Sequence, residues 1–126
     1  MRMSAWSTCI RIKQNPRLAI GLSSVMAMAI IGLSLTPLTH LPDAPGSDKT
    51  HHLIAYAAVA VPTAIALPHR VWPLAALYIF MGGAIELIQP YVNRYGEWLD
   101  FIANMSGVFA GSLLGVLIGT WHREAN

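Results

Sequence analysis

From Leu18 to Leu38 the chain runs for twenty-one residues without a charged side chain. At a rise of about 1.5 Å per residue, a helix over that run is about 31 Å long, enough to cross a hydrocarbon core of about 30 Å. Its N-terminal flank is basic, with Arg2, Arg11, Lys13 and Arg17. A basic flank and an apolar run also open a secretory signal peptide. The apolar region of a signal is shorter, about 7–15 residues, and no clean small-residue cleavage site follows this one. The run reads as a retained membrane helix.

Three further apolar runs follow, at about 52–67, 73–92 and 100–120. Short polar stretches separate them, and Pro37, Pro42, Pro45, Gly46, Pro68 and Pro73 punctuate the joints. Pro62, inside the second run, predicts a kink rather than an end, because neighbouring helices can satisfy the backbone group it frees. Charged residues make up only 11 % of the chain and apolar residues 55 %, against about 25 % charged in a soluble domain. The fold class is all-α, an integral membrane four-helix bundle. A basic segment at 1–17 precedes the four-helix domain at 18–120, and a short tail occupies 121–126. With four spans both termini share a side, which would hold Arg2, Arg11, Lys13, Arg17, Arg70 and Arg123 against Lys49 and Arg94 on the other. The positive-inside rule then places both termini in the cytoplasm and the loops at 39–50 and 93–100 outside.

The same distribution excludes nucleic acid as a partner: the basic residues flank apolar runs and form no stripe. Cys9 is the lone cysteine, which rules out an internal disulfide and reads as a free cytoplasmic thiol. His40, His51, His52, Asp43, Asp48 and Glu86 are metal-capable, but no H-x-x-x-H or H-E-x-x-H spacing occurs, so neither a metal nor another cofactor is expected.

The remaining polar residues gather at one end of the second, third and fourth runs. Asp48, His52 and Tyr56 follow an i, i+4, i+8 spacing and share a helical face, with Asp48 a candidate N-cap. Glu86 and Gln89, three apart, share a face of the third helix. Asp100 and Asn104 share a face of the fourth, Asp100 again a candidate cap. A carboxylate at membrane depth costs about 2.5–3.5 kcal/mol on insertion scales near the bilayer centre, so Glu86 should face the bundle interior with a partner. Lys49, Arg94 and His52 are the partners within reach. A carboxylate, an imidazole and a cation in one place suit acid–base chemistry, or the binding of a polar head group. His52, Glu86 and Asp100 are the candidate catalytic residues. Asp48, Lys49, Tyr56, Gln89, Arg94 and Asn104 are the candidate ligand-binding ones, with Lys49 and Arg94 positioned to neutralise an anion. The competing reading makes the same residues interhelical glue in a structural or interaction protein. Gly107, Gly111, Gly115 and Gly119 form a ridge on the fourth helix, which suits close packing on a neighbouring helix or self-association into a homo-oligomer. Four short spans without an inverted repeat leave little room for a transporter.

The motifs also resemble a known family. Asp48-Lys49-Thr50-His51-His52-Leu53-Ile54-Ala55-Tyr56 is similar to the D-K-x-x-H-x-x-x-Y signature of VanZ-like membrane proteins, with His52 rather than His51 at the histidine position. Glu86-Leu87-Ile88-Gln89 is similar to that family's E-x-x-Q, and Arg94, Asp100, Asn104, Gly107 and Gly111 to its R…D-x-x-x-N-x-x-G-x-x-x-G stretch. The likeness covers about residues 34–119, in the family's order. It implies a multi-pass protein of the bacterial inner (plasma) membrane acting at the cell envelope. The expected partners are the lipid bilayer and a lipid-linked or cell-wall ligand. The family takes its name from a protein linked to resistance to the glycopeptide teicoplanin, so the resemblance carries that connection too.

Overall fold

The computed structural model describes the backbone of residues 5–37, 39 and 45–124, and the side chains of residues 7–37, 39 and 45–121. His40 and Asp43, considered above as metal-capable, lie outside the described residues, as do Arg2 and the side chains of His122 and Arg123. Among the described residues every regular element is helical. Five helices follow one another: α1 (Ala5–Gln14), α2 (Pro16–Ser34), α3 (Asp48–Ala66), α4 (Val71–Ile88) and α5 (Trp98–Glu124). A 3-10 turn at Pro68–Arg70 leads into α4, and another at Gln89–Val92 leaves it.

α1 adds a helix where a plain basic segment was expected. It is amphipathic, and Ile12 is buried against Ala19 of α2 and Ile65 of α3. Asn15 separates the two N-terminal helices: its side chain accepts a hydrogen bond from the Leu18 N–H at 3.2 Å, and Pro16 takes the first position of α2. Proline there loses nothing, since the first helical N–H has no intrahelical partner. α2 ends at Ser34, short of the apolar run's end at Leu38. Pro37 disfavours helical geometry at Thr36.

α2, the stretch Pro68–Val92 and the stretch Trp98–Trp121 are each long and apolar enough to cross a membrane. Their outward side chains support that assignment. Val25, Met28, Phe80, Leu87 and Leu113 are between 62 % and 75 % exposed. Meanwhile His52, Gln89, Asp100, Asn104 and Ser112 are buried. Apolar groups outside and polar groups inside suit a surface solvated by lipid. Exposed aromatic rings mark both ends, with Trp72 and Trp121 at one and Tyr91, Tyr95 and Trp98 at the other. Such rings favour membrane–water interfaces.

α3 falls short of that apolar standard because its first turns carry Asp48, Lys49, His51 and His52. It is nonetheless the central helix, packed against α1, α2, α4 and α5. Tyr56, Val59 and Ala60 form the core with Ala75 and Tyr78 of α4 and Val108 of α5. The helix continues through Pro62 to Ala66. Hydrogen bonds tie it sideways: Ser23 of α2 donates to the Val59 carbonyl at 2.8 Å, and the hydroxyls of Thr63 and Tyr78 meet at 3.0 Å.

The glycine ridge of α5 lies on α3. A Cβ at Gly107 would strike the Leu53 carbonyl, and one at Gly111 the Ala57 carbonyl. One at Gly115 would come within 2.6 Å of the Ala64 Cβ, and one at Gly119 within 3.0 Å of the Ile65 carbonyl. The contacts advance together along both helices, so α3 and α5 run parallel with their backbones nearly touching. The ridge is thus filled from within the chain, by α3.

Candidate functional site

The parallel pairing of α3 and α5 brings their N-terminal turns side by side, and α4 arrives between them at its C-terminal end. Ser47, not Asp48, caps α3, its hydroxyl accepting from the Thr50 N–H at 3.2 Å. Asp48 is therefore the first helical residue, where the helix dipole favours an acid, and its carboxylate is free to lean toward His52. α5 begins at Trp98, two residues before Asp100. Asp100 faces α3 instead of capping its own helix.

Where three helices approach this closely, short polar side chains reach one another. Asn104, fully buried, stands between His52 and Glu86. Its Nδ2 donates to Glu86 Oε1 at 3.3 Å. Its Oδ1 lies 2.8 Å from His52 Nδ1. A carboxylate only accepts, so the amide must present its nitrogen to Glu86 and its oxygen to the imidazole. His52 Nδ1 then carries the proton, and in the neutral ring Nε2 keeps its lone pair. That nitrogen has no hydrogen bond; its nearest charged neighbour is Asp48 Oδ1 at 3.9 Å. Glu86 Oε1 lies 3.8 Å from His52 Nδ1. Its Oε2 accepts from the Glu97 backbone N–H at 3.2 Å.

Lys49 reaches across to α5 rather than to Glu86. Its Nζ lies 2.9 Å from Glu97 Oε2 and 3.3 Å from Asp100 Oδ1. Glu97 first and Asp100 second hold the ammonium above its ordinary pKa. The site thus grades from a solvated rim of Asp48, Lys49 and Glu97 to a buried floor of His52, Glu86, Asp100 and Asn104. Below the floor, Tyr56 packs against Gly82 of α4. A Cβ at Gly82 would sit 3.2 Å from the Tyr56 hydroxyl and 3.1 Å from Asn104 Nδ2, so glycine makes room for both.

Gln89 and Arg94 stand apart from this group. Gln89 Nε2 donates to the Ser34 carbonyl at 3.2 Å, and Arg94 Nη1 to the Thr36 carbonyl at 3.4 Å. Both tie the end of α2 to the loop after α4. The expectation that Arg94 and Lys49 would together neutralise an anion therefore meets a different geometry. Arg94 is turned to α2, and Lys49 faces Asp100 and Glu97. His51 points away as well, its Nε2 lying 2.8 Å from the Pro45 carbonyl.

Comparison with known protein families, curated proteins and solved structures yields no match. The likeness to the VanZ-like pattern rests on the three sequence motifs alone.

Glu97, Gly82 and Gly96 join the site without having been singled out in the sequence. Glu97 had a signal: Glu97, Asp100 and Asn104 are spaced three and four apart, one face of a helix start. Gly96 had none in the pattern. Pro90 lacks the N–H that would bond the Glu86 carbonyl, and a Cβ at Gly96 would strike that carbonyl. Glycine lets the loop lie flat on the end of α4 and delivers the Glu97 N–H to Glu86.

Proposed function

We propose that the chain is a VanZ-like, multi-pass protein of the bacterial inner membrane. In this reading α2, α3, α4 and α5 all cross the bilayer and both termini are cytoplasmic. The polar site opens to the outer surface, where it binds or acts on a cell-envelope component, a lipid head group or a peptidoglycan-related ligand. Positive charge supports the orientation, since Arg11, Lys13, Arg17 and Arg70 lie at the end opposite the site.

One observation carries the choice of a binding site over interhelical glue. Glue requires buried polar groups to pair with one another. Among the described residues the Tyr56 hydroxyl, Gln89 Oε1 and Asp100 Oδ1 are buried without a hydrogen-bond partner, Asp100 Oδ1 having only the Lys49 ammonium at 3.3 Å, and the His52 Nε2 lone pair makes no hydrogen bond there either. Three of the four belong to the α3–α5 pair: His52 and Tyr56 share a face of α3, and Asp100 lies in the first turn of α5. In a reaction, His52 Nε2 is the group placed to take up a proton, and Glu86 acts on it through Asn104 as a positioning residue.

The test is native mass spectrometry of the chain extracted from its own membrane. An envelope lipid should stay bound to the wild type and to a Ser106→Ala control, and be lost from Tyr56→Phe and Glu86→Gln. An identical lipid profile in all four would remove the reading. A second group ties helices together: Gln89 Nε2 and Arg94 donate to backbone carbonyls at the end of α2, and Arg94→Ala should loosen α2 without altering bound lipid.

A further inference from the structure

We propose that Asp48, His52 and Asp100 form a divalent metal site at the mouth of the α3–α5 seam. One ligand atom from each of the three lies within 4.8 Å of the other two. Ions of the zinc and manganese class take imidazole nitrogen and carboxylate oxygen at about 2.0–2.2 Å. Drawing the three atoms onto one ion requires a movement of roughly 1 Å, from the same distances. Asp48 is able to supply it, with a side chain 58 % exposed on the first turn of α3.

Two further observations point to a cation. The first is the state of His52. A metal-binding histidine gives one nitrogen to the ion and donates the other N–H to an outer partner that fixes ring and tautomer. Here Asn104 accepts from Nδ1 and is itself held by Glu86. Nε2 is left with its lone pair beside the Asp48 carboxylate, 3.9 Å away. The second is Asp100, only 2 % exposed, whose Oδ1 makes no well-formed hydrogen bond and has only the Lys49 ammonium at 3.3 Å. A lone pair and two carboxylates that converge repel one another, and a positive charge among them relieves that repulsion. The absence of a metal-binding spacing in the sequence does not weigh against this. Asp48 and His52 are one turn apart on α3, but the third ligand comes from a different helix.

Lys49 supplies part of that charge, from 3.3 Å on Asp100 Oδ1. It also contacts Glu97 at 2.9 Å, so it has a partner to which it withdraws when an ion arrives. Lys49 is thus a built-in competitor, and removing it should tighten metal binding. Three protein ligands would leave a coordination position open. If the proposed function holds, that position gives an anionic head group a cation to bind, where Lys49 is already paired with Glu97 and Asp100. The metal site itself rests on the three ligands alone.

The experiment uses the full chain in detergent, purified by a tag without histidine and stripped with a chelator. Zn2+ and Mn2+ are titrated separately by calorimetry, and the d–d spectrum of Co2+ reports nitrogen and oxygen ligation. One equivalent per chain is expected. Asp48→Asn, at the rim, and Asp100→Asn should each weaken binding at least tenfold, while Lys49→Met strengthens it severalfold. Asn104→Leu should weaken binding by about 10–100-fold through the imidazole it orients. Circular dichroism and thermal melting confirm that each variant is folded, and Asp48→Asn keeps the test decisive if a buried variant is not. No stoichiometric binding, or binding indifferent to both Asp48→Asn and Asp100→Asn, overturns the proposal. So does binding abolished by His69→Ala. Failure here leaves the lipid retention experiment untouched, and loss of lipid retention leaves the titration untouched.

Discussion

Tyr56 and Asn104 lie next to each other under the site, yet replacing them should have opposite consequences for stability. Asn104 makes two interhelical hydrogen bonds, one with His52 and one with Glu86. Each such bond inside a membrane protein contributes about 0.6 kcal/mol on average. Asn104→Leu loses both and leaves a buried imidazole N–H and carboxylate oxygen without that partner, so it should lower stability by roughly 1–3 kcal/mol. The Tyr56 hydroxyl is buried without a partner, and Tyr56→Phe removes only that oxygen. Its melting temperature in detergent should equal or exceed that of the wild type. A Tyr56→Phe protein that melts well below wild type would mean that the hydroxyl is bonded in the folded state and is not held for a ligand. These residues were legible as a group because local spacing puts Asp48, His52 and Tyr56 on one face, and Asp100 with Asn104 on another. What spacing could not give was the partner of each. Glu86 had Lys49, Arg94 and His52 as candidates, and the side chain that joins it to His52 is Asn104. Arg94 was close enough in sequence to be counted in, but the turn after Gln89 sends it to α2. Partner choice depends on the rotation of three helices about their axes, which no single helix encodes.

The seam between α3 and α5 fixes those rotations, and its tolerance is set by small residues. At Gly111 a side chain would run into the backbone of Ala57, where nothing flexible yields. Overpacking of this kind costs about 1–3 kcal/mol. At Gly21 of α2 no atom lies within 4 Å of an added Cβ, and alanine is the better helix former by roughly 0.5–1 kcal/mol. Gly111→Ala should therefore lower the melting temperature and Gly21→Ala leave it unchanged or raise it. Equal effects would mean that α5 does not lie on α3 through this ridge. Helix positions were largely legible, because long uncharged runs leave few alternatives. Boundaries moved by a few residues wherever local chemistry intervened: Ser47 outcompeted Asp48 as a cap, and Pro90 turned the last part of the third run into a 3-10 turn. α1 was missed for a different reason. Its ten residues have no long apolar run, and its place depends on burying Ile12 against α2 and α3. The ridge was visible, but its occupant was open between another helix of the chain and another copy.

How many of these helices cross the bilayer decides where the site lies relative to the cell. α2, α4 with its flanking turns, and α5 are apolar enough on composition alone, and α3 is not. Composition is a poor guide for a helix enclosed by others, since lipid touches little of it. The better argument is the seam. From Leu53 to Ile65, α3 tracks α5 from Gly107 to Gly119, which supports the proposal that α3 follows α5 through the bilayer. The proposed four spans would place both termini on one side, and the excess of Lys and Arg around them would make that side cytoplasmic. Three spans would put the termini on opposite sides and strand the α3 end at Arg70 beside the site's own surface. Reporter fusions separate these cases. A phosphatase active only outside the membrane should be active when fused after Lys49 or Arg94, and silent after Arg70, where a cytoplasmic reporter is active instead. Matching signals after Lys49 and Arg70 would show that α3 does not cross. Inverted signals at all three positions would keep four spans but turn the site toward the cytoplasm, and an outer-leaflet or cell-wall ligand would then be out of its reach.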